Sequence, residues 1–455
     1  RLDDVIDYGQ RMTERGFYFM DSAGNDLESI AGQVASGCNL VLFITGNGSI
    51  TNFPFVPTLK IVTTTKRYKQ LELDMDINAG EYLDGTTLSA LKGKYFNLAL
   101  ETCEGRRTVG EKAGHSQAQI WRNWHMGSER QLTSALQSPS PSGVPLKLTW
   151  TSELISQKPQ KIKITESLSK TFQKSIIIPT SLCSSEVASR IAKELNDESQ
   201  KENIVALSHT EGCGVSRGPS EELFIRTMVG YALHPSVKSV LFLEHGCEKT
   251  HHAEFQNFLL SMNECPDNYA WESIQAGGGL EKAKASIRSW EASIKNSDIH
   301  NINHPALGVF TTSGKQSEGW MIRLLQLVQL VTNDLKGSVI ISEKDPFIDF
   351  IKTNKILSNN SQTSLSYGEN LKMRFGFHIM ESQSTDPVEI LTGLGACGAT
   401  HFFMDPDSLE NNFQYPPLSI PVKWDRATQD FIEQFNESHF QRSFQITRGH
   451  QGFSL

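Results

Sequence analysis

Short apolar runs alternate along the chain with stretches whose apolar positions recur every three or four residues. The runs are LVLFIT (40–45), LKIVTTT (59–65), SIIIPT (175–180), IVALSH (204–209), SVLFLEH (239–245) and SVIISE (338–343). Most are apolar along their whole length, as a strand buried on both faces requires. Helical periodicity predicts helices over Glu186–Leu195, Ser220–Ala232 and Leu280–Ile294. The alternation is βαβ, so the predicted fold is multi-domain α/β, mainly parallel sheets covered by helices. In such sheets ligands sit beyond the carboxyl ends of the strands. Two runs end in residues that carry chemistry: His209 opens HTEGCGVS (209–216), and Gly246, Cys247 and Glu248 follow the run that closes at His245.

Two breaks divide the pattern. LQSPSPSGVPLK (136–147) can continue neither a helix nor a central strand, and NSDIHNINHP (296–305) ends a helical stretch before a proline. The predicted organisation is a first domain over 1–130, a linker over 131–165, a middle domain over 166–298 and a third domain over 299–455. The first and third are related to each other. Gly16/Gly376, Phe17/Phe377, Met20/Met380, Ser22/Ser382, Asp26/Asp386 and Ile30/Ile390 match at one offset. After one inserted residue Gly32/Gly393, Ala35/Ala396 and Gly37/Gly398 also match, and Ser49/Ser408, Pro57/Pro416, Leu59/Leu418 and Ile61/Ile420 keep step further on. This is the signature of an internal duplication. The copies differ at a strand end, where TGNGS (45–49) in one is MDPDS (404–408) in the other.

Charge narrows the function classes. The 455 residues hold 43 basic and 51 acidic side chains, a net charge of −8 with both signs dispersed, which argues against a nucleic-acid surface. No apolar run approaches the roughly 18 residues of a bilayer span, and the amino-terminal stretch lacks a signal pattern. Seven cysteines without framework spacing fit a reducing compartment. A soluble, cytoplasmic protein is expected, without nucleic-acid or membrane partners, and a homo-oligomer is compatible with these features. The chain starts at Arg1 inside an amphipathic pattern, as a fragment would.

The candidate chemistry lies at the strand ends. Thr45, Gly46, Gly48 and Ser49 form a glycine loop able to bring backbone N–H groups to an anion. In the middle domain His209, Glu211 and Cys213 could converge in a turn permitted by Gly212 and Gly214, with Cys247 and Glu248 arriving from the next strand end. The same turn also has a purely structural explanation, in which His209 satisfies a backbone carbonyl. Asp74 and Asp76 fit a metal pair or a solvated strand face equally well. Adjacent His251 and His252 should point to different faces, so no two-histidine chelate is expected.

GFYFMDSAGNDLESIAGQVASGCNLVLFITGNGS, PTLKIVTTTKRY and DMDINAG resemble the carboxyl-terminal domain of the galactarate and altronate dehydratases, which remove water from sugar acids with the help of a divalent metal, often iron. IIIPTSLCSSEVASRIA, ALSHTEGCG, RTMVGYALHPSVKSVLFLEHGCE and SIQAGGGLEKAKASI resemble the middle domain of that family. In the third region only GFHIMES and its surroundings keep the likeness. The order of domains departs from the family's, as in a segment cut from a tandem, double-length protein. TTSGKQSEG (311–319) stands where a glycine- and serine-rich motif with a leading cysteine is usual, and Ala79 replaces the usual cysteine in DMDINAG.

The resemblance implies a hydro-lyase acting on an aldonic or aldaric acid such as altronate or galactarate. Such an elimination needs a base, an acid and a cation to hold the developing charge. It implies catalytic roles for His209, Glu211 and Cys213, and substrate contacts from Thr45, Gly46, Gly48, Ser49, Gly212 and Gly214. The metal ligands implied are Cys213, Cys247, Glu248, Asp74 and Asp76, with iron the preferred ion and manganese or magnesium as alternatives. The other outcome compatible with the altered motifs is a catalytically impaired homologue that binds a metabolite or serves assembly.

Overall fold

A computed structural model describes residues 1–118, 140–150, 170–171, 173–200, 203–209, 219–294, 300–301, 304–312, 318–359, 362–372, 374–382, 385–405, 415–425 and 430–433. The fold is α/β, with sheets that are mainly parallel. The first segment contributes a parallel pair, β1 (Asp4–Ile6) and β2 (Tyr18–Met20), and a parallel three-stranded sheet of β3 (Val41–Thr45), β4 (Thr58–Val62) and β5 (Ile77–Asn78). A short antiparallel ribbon of β6 (Lys170–Thr171) and β11 (His300–Asn301) flanks the middle segment. No helix among the described residues is long and apolar enough to cross a membrane.

The middle sheet runs β10 (Ala270–Ser273), β9 (Val237–Glu244), β7 (Lys174–Pro179), β8 (Ile204–Ala206), all parallel. Ile176, Ile177 and Ile178 are fully buried in β7, as a continuous apolar run predicts for a strand covered on both faces. Ile177 packs with the helices Leu182–Ser199 and Leu280–Ser293. Ile176 and Ile178 pack with Pro219–Ala232 and His252–Ser261 on the other face. Ser181 starts the first of these helices through a reciprocal cap with Ser184, which places the start four residues before the predicted one.

The third sheet is ordered β14 (Gly376–Met380), β13 (Ser338–Ser342), β12 (Ala306–Phe310), β15 (His401–Met404), β16 (Ile420–Asp425), β17 (Asp430–Glu433), with only β17 antiparallel. One face packs on Glu318–Gln329 and Pro346–Thr353, the other on Pro387–Ala396. Part of the predicted linker is docked here. Leu146 N–H donates to the Phe377 carbonyl at 2.8 Å, and Leu146, Leu148 and Trp150 lie against the core of this sheet. Prolines barred from a central strand are tolerated along an edge such as β14.

The duplicated helices are ten residues long in both copies, Asp26–Ala35 and Pro387–Ala396, and begin at Asn25 and Asp386, whose side chains accept from the second and third amides. Equivalence by cap makes Ile30 the partner of Leu391. The one-residue shift therefore falls before the helix, not after Ile30 and Ile390 as their identity suggested.

Candidate functional site

In the middle sheet the chain leaves β7 toward β8 on one side and later returns to β9 on the other, so the strand order reverses between β7 and β9. That is the position at which an open parallel sheet forms its ligand crevice. Thr180 follows β7, and His245 to Glu248 follow β9. The buried Glu248 carboxylate turns back across this point and accepts from Thr180 Oγ1 at 2.6 Å, from the His245 N–H at 2.7 Å and from the Gly246 N–H. Burial opposes ionisation of Glu248, but the nearby His245 ring and these donors together hold its carboxyl below the ordinary range. His245 Nδ1 lies 3.0 Å from Cys247 Sγ. One ligand atom from each of His245, Cys247 and Glu248 falls within 4.8 Å of the others. Glu248→Ala would strand three donors, so it is expected to cost about 3 kcal/mol of unfolding free energy, read from urea titration. Glu248→Gln, which keeps one acceptor oxygen, should cost less, and equal losses would show that the acceptor role is unimportant.

Gln275 joins this turn to the first segment. Its backbone N–H donates to the His245 carbonyl at 3.0 Å and its Nε2 to the Gly48 carbonyl at 2.7 Å. The Thr45–Ser49 loop is thereby placed at the mouth of the middle sheet. Two of its amides are engaged from within, because Thr45 Oγ1 accepts from Gly48 N at 3.1 Å and from Asn47 N at 3.3 Å; the buried Ser49 Oγ donates to Thr51 Oγ1 at 2.8 Å. The expectation that the loop presents its N–H groups to an anion is thereby corrected for Gly48 and Asn47. Gly46 is exposed.

His209 is 2% exposed; its Nε2 is 2.8 Å from the Pro179 carbonyl, its backbone N–H donates to Ser185 Oγ, and its ring meets Phe224 edge-on. These contacts are the ones the structural explanation of the turn requires. Glu211, Gly212, Cys213 and Gly214 lie outside the described residues, as do Pro406, Asp407 and Ser408 of the third segment. Asp74 and Asp76 are not brought together with Cys247 and Glu248. Asp74 Oδ2 accepts from Leu280 N at 3.2 Å, tying the first segment to the start of a middle-segment helix, and Asp76 accepts from Lys60 N and Val109 N, both at 2.9 Å. Backbone amides in need of acceptors account for both carboxylates. His251 and His252 do converge, each with Nδ1 3.6 Å from Glu244 Oε2. The opposite-faces expectation fails because His251 is an extended cap residue and only His252 is helical.

Sequence reasoning missed Lys60 and His115. Lys60 is fully buried in β4, and its Nζ has no hydrogen-bond partner among the described residues. Burial lowers its pKa from 10.5 to about 8, against the pull of Asp76 and Asp74. His115 is 4% exposed, and burial followed by Lys60 lowers it to about 4. A lysine inside the apolar run LKIVTTT was the visible signal. At the equivalent switch point of the third sheet, Thr311 donates to Asp345 and Thr312 to Asp405, and burial pushes Asp345 up to about 7. A hollow of about 480 Å³ lined by Lys238, Asp267, Tyr269 and Trp290 lies at the opposite, amino ends of β9 and β10.

Residues 1–126 match the family model "D-galactarate/Altronate dehydratase, C-terminal", and residues 174–296 match "D-galactarate dehydratase/Altronate hydrolase, second domain". Altronate dehydratase of Escherichia coli K12 is 28% identical over 120 residues, covering 26% of this chain and 24% of that protein. Galactarate dehydratase (L-threo-forming) of the same organism is 31% identical over 121 residues, 26% of this chain and 23% of that protein. The beta subunit of (2R)-sulfolactate sulfo-lyase of Chromohalobacter salexigens is 27% identical over 123 residues, 27% of this chain and 32% of that protein. The matched stretch therefore spans between a quarter and a third of this chain, and between 23% and 32% of each of these relatives.

Proposed function

We infer that this chain, a member of the galactarate and altronate dehydratase family, is a hydro-lyase that removes water from a sugar acid with the aid of a divalent cation. The observation that carries this is the convergence of His245, Cys247 and Glu248 at the switch point of the middle sheet, with the Thr45–Ser49 loop tied to the same turn through Gln275. The donor set fits a cation. Oε1 of Glu248 receives two hydrogen bonds and Oε2 one, and one of these oxygens lies within 4.8 Å of the ligand atoms of the imidazole and the thiol. Sulfur and nitrogen donors favour iron(II) over magnesium. A cation held there would stabilise the charge that builds on a sugar-acid carboxylate as its α-proton leaves. The chain's own groups fix the turn: Thr180 orients Glu248, and Gln275 holds the loop against it.

A second reading is favoured by the engaged loop amides and by the Pro179-bound His209: a homologue that binds an acidic metabolite without turning it over. The experiment that separates the two loads the full chain anaerobically with iron(II), manganese(II) or magnesium(II), measures bound metal, and assays water elimination from a panel including altronate and galactarate. Tight iron binding lost in Cys247→Ser, with turnover of at least one acid, is expected. Metal binding without turnover favours the second reading. Turnover unchanged by chelation and by Cys247→Ser would overturn the cation's role.

A further inference from the structure

Four polar side chains of the first segment are buried with one atom that has no hydrogen-bond partner among the described residues. Thr58 and Lys60 are 0% exposed, Asn52 2% and Gln117 6%, and the atoms are Thr58 Oγ1, Lys60 Nζ, Asn52 Oδ1 and Gln117 Oε1. Each such atom opposes folding, so four in one place call for a physical account. They do share one place. Thr58 and Lys60 are two apart in β4 and therefore lie on the same face. Asp76 accepts from Lys60 N and Val109 N, both at 2.9 Å, and a Cβ on Gly110, the next residue, would stand 2.9 Å from Asn52 Cβ. Asn52 Nδ2 donates to the His115 carbonyl at 3.0 Å, and Gln117 N to the Asn52 carbonyl at 3.0 Å.

This wall closes on the crevice of the middle sheet. Gln117 Nε2 lies 3.5 Å from the Cys183 carbonyl, in the first turn of the helix that Ser181 caps. Ser181 directly follows Thr180, the residue bonded to Glu248. Arg190 of the same helix donates to the Ala113 carbonyl, so the wall is joined to the crevice at two points.

The unpartnered atoms define what would satisfy them. Lys60 offers a positive charge and three donors, and the carboxylates that act on it, Asp76 and Asp74, already accept from backbone amides. Asn52 presents its oxygen because Nδ2 is bound to the Phe53 and His115 carbonyls. Asn52 Oδ1 and Gln117 Oε1 need donors, and Thr58 Oγ1 serves either way. A simple anion would satisfy Lys60 and leave the amide oxygens bare. A metal cation would be repelled by the ammonium. A molecule that carries a carboxylate beside hydroxyl groups satisfies all four.

We propose that Asn52, Thr58, Lys60 and Gln117 form the subsite that holds the sugar acid, its carboxylate on Lys60 and its hydroxyls on Asn52, Thr58 and Gln117, enclosed between the first and middle segments. The identity of the acid rests on the hydro-lyase reading, whereas none of the four side chains belongs to the His245, Cys247 and Glu248 set.

The test is calorimetric titration of the full chain with galactarate, altronate and adipate, the last a dicarboxylate of the same length without hydroxyls, in chelator and again with iron(II) under anaerobic conditions. One-to-one binding of at least one sugar acid is expected, with adipate at least about tenfold weaker and Lys60→Met lowering the sugar acid's affinity at least about tenfold. Lys60→Met should do so while its melting temperature rises, which separates lost recognition from lost folding. Thr58→Val, which keeps the shape and removes the hydroxyl, should weaken the sugar acid and leave adipate unchanged. Failure of both sugar acids to bind in either condition, adipate binding as tightly as they do, or affinity indifferent to Lys60→Met overturns the subsite. Binding with these losses but without water elimination keeps the subsite and sinks the hydro-lyase reading. Elimination whose KM is unchanged in Lys60→Met keeps that reading and sinks the subsite.

Discussion

Replacing Lys60 by methionine is expected to raise the unfolding free energy near pH 7 by about 3 kcal/mol, the equivalent of moving its pKa from 10.5 to about 8 at 1.36 kcal/mol per pH unit. The side chain is fully buried and its ammonium has no hydrogen-bond partner among the described residues, so the charged form is held against its solvation preference. Methionine keeps the length and removes the charge. The sign follows from linkage. Below about pH 8 both states carry the proton and the penalty is complete; between about 8 and 10.5 the unfolded chain keeps a proton that the folded chain has released, so the parent gains stability as pH rises; above 10.5 the penalty is gone. The advantage of Lys60→Met should therefore shrink steadily over that window in urea titrations at pH 7, 9 and 10.5. A methionine variant no more stable than the parent at pH 7 would mean that Asp74 and Asp76 compensate the charge fully. Where a buried charge costs stability, its retention is most simply explained by use, so the same variant belongs in the water-elimination assay.

The second large effect is at the contact between the middle and third segments. Gly230 lies in the helix Pro219–Ala232, and a Cβ there would stand 2.5 Å from the carbonyl oxygens of both Ala396 and Gly368. Neither obstacle can rotate away, since both are backbone. The close approach lets Tyr231 Oη reach the Thr392 carbonyl at 3.0 Å, Arg226 Nε the Tyr367 carbonyl at 2.8 Å, and Asn370 Nδ2 the Gly230 carbonyl at 3.0 Å. Gly230→Val must push the two elements apart and strain all three bonds. The expected cost is about 3 kcal/mol or more, with calorimetry resolving the third segment as a separate transition. A single transition at the parent's temperature would show that the contact yields without loss.

Much of the fold was legible because periodicity and burial coincide: SIIIPT and SVIISE are fully buried strands, and the helix predicted over Ser220–Ala232 begins within one residue of the observed start. LVLFIT was equally apolar, yet Leu42 and Ile44 of β3 face outward. Periodicity reports what a strand could bury, and only the neighbouring elements decide whether it does. At the candidate site Cys247 and Glu248 could be picked out from their place after an apolar run. His245 was the last residue of that run and looked like part of it. Gln275 could not be found at all, because its importance comes from a hydrogen bond to Gly48, 227 positions away. Asp74 and Asp76 looked like ligands because sequence shows carboxylates but not the amides they satisfy.

Leu27 and Ile50 belong to the first segment but are buried among Ile177, Val187, Ile191 and Leu241 of the middle one. What the first segment buries by itself is modest, Ile30 with Val41, Phe53 and Val56 in one cluster and Val62 with Leu71 and Met75 in another. During synthesis the residues up to 118 leave the ribosome well before the helix that ends at Ser293, and at about 5 to 20 residues per second the wait is on the order of ten to a few tens of seconds. For that interval Leu27, Ile50 and the strands around them have no finished surface to close against. Slowing translation before residue 293 should therefore lengthen the exposure of Leu27 and Ile50 rather than help the first segment fold.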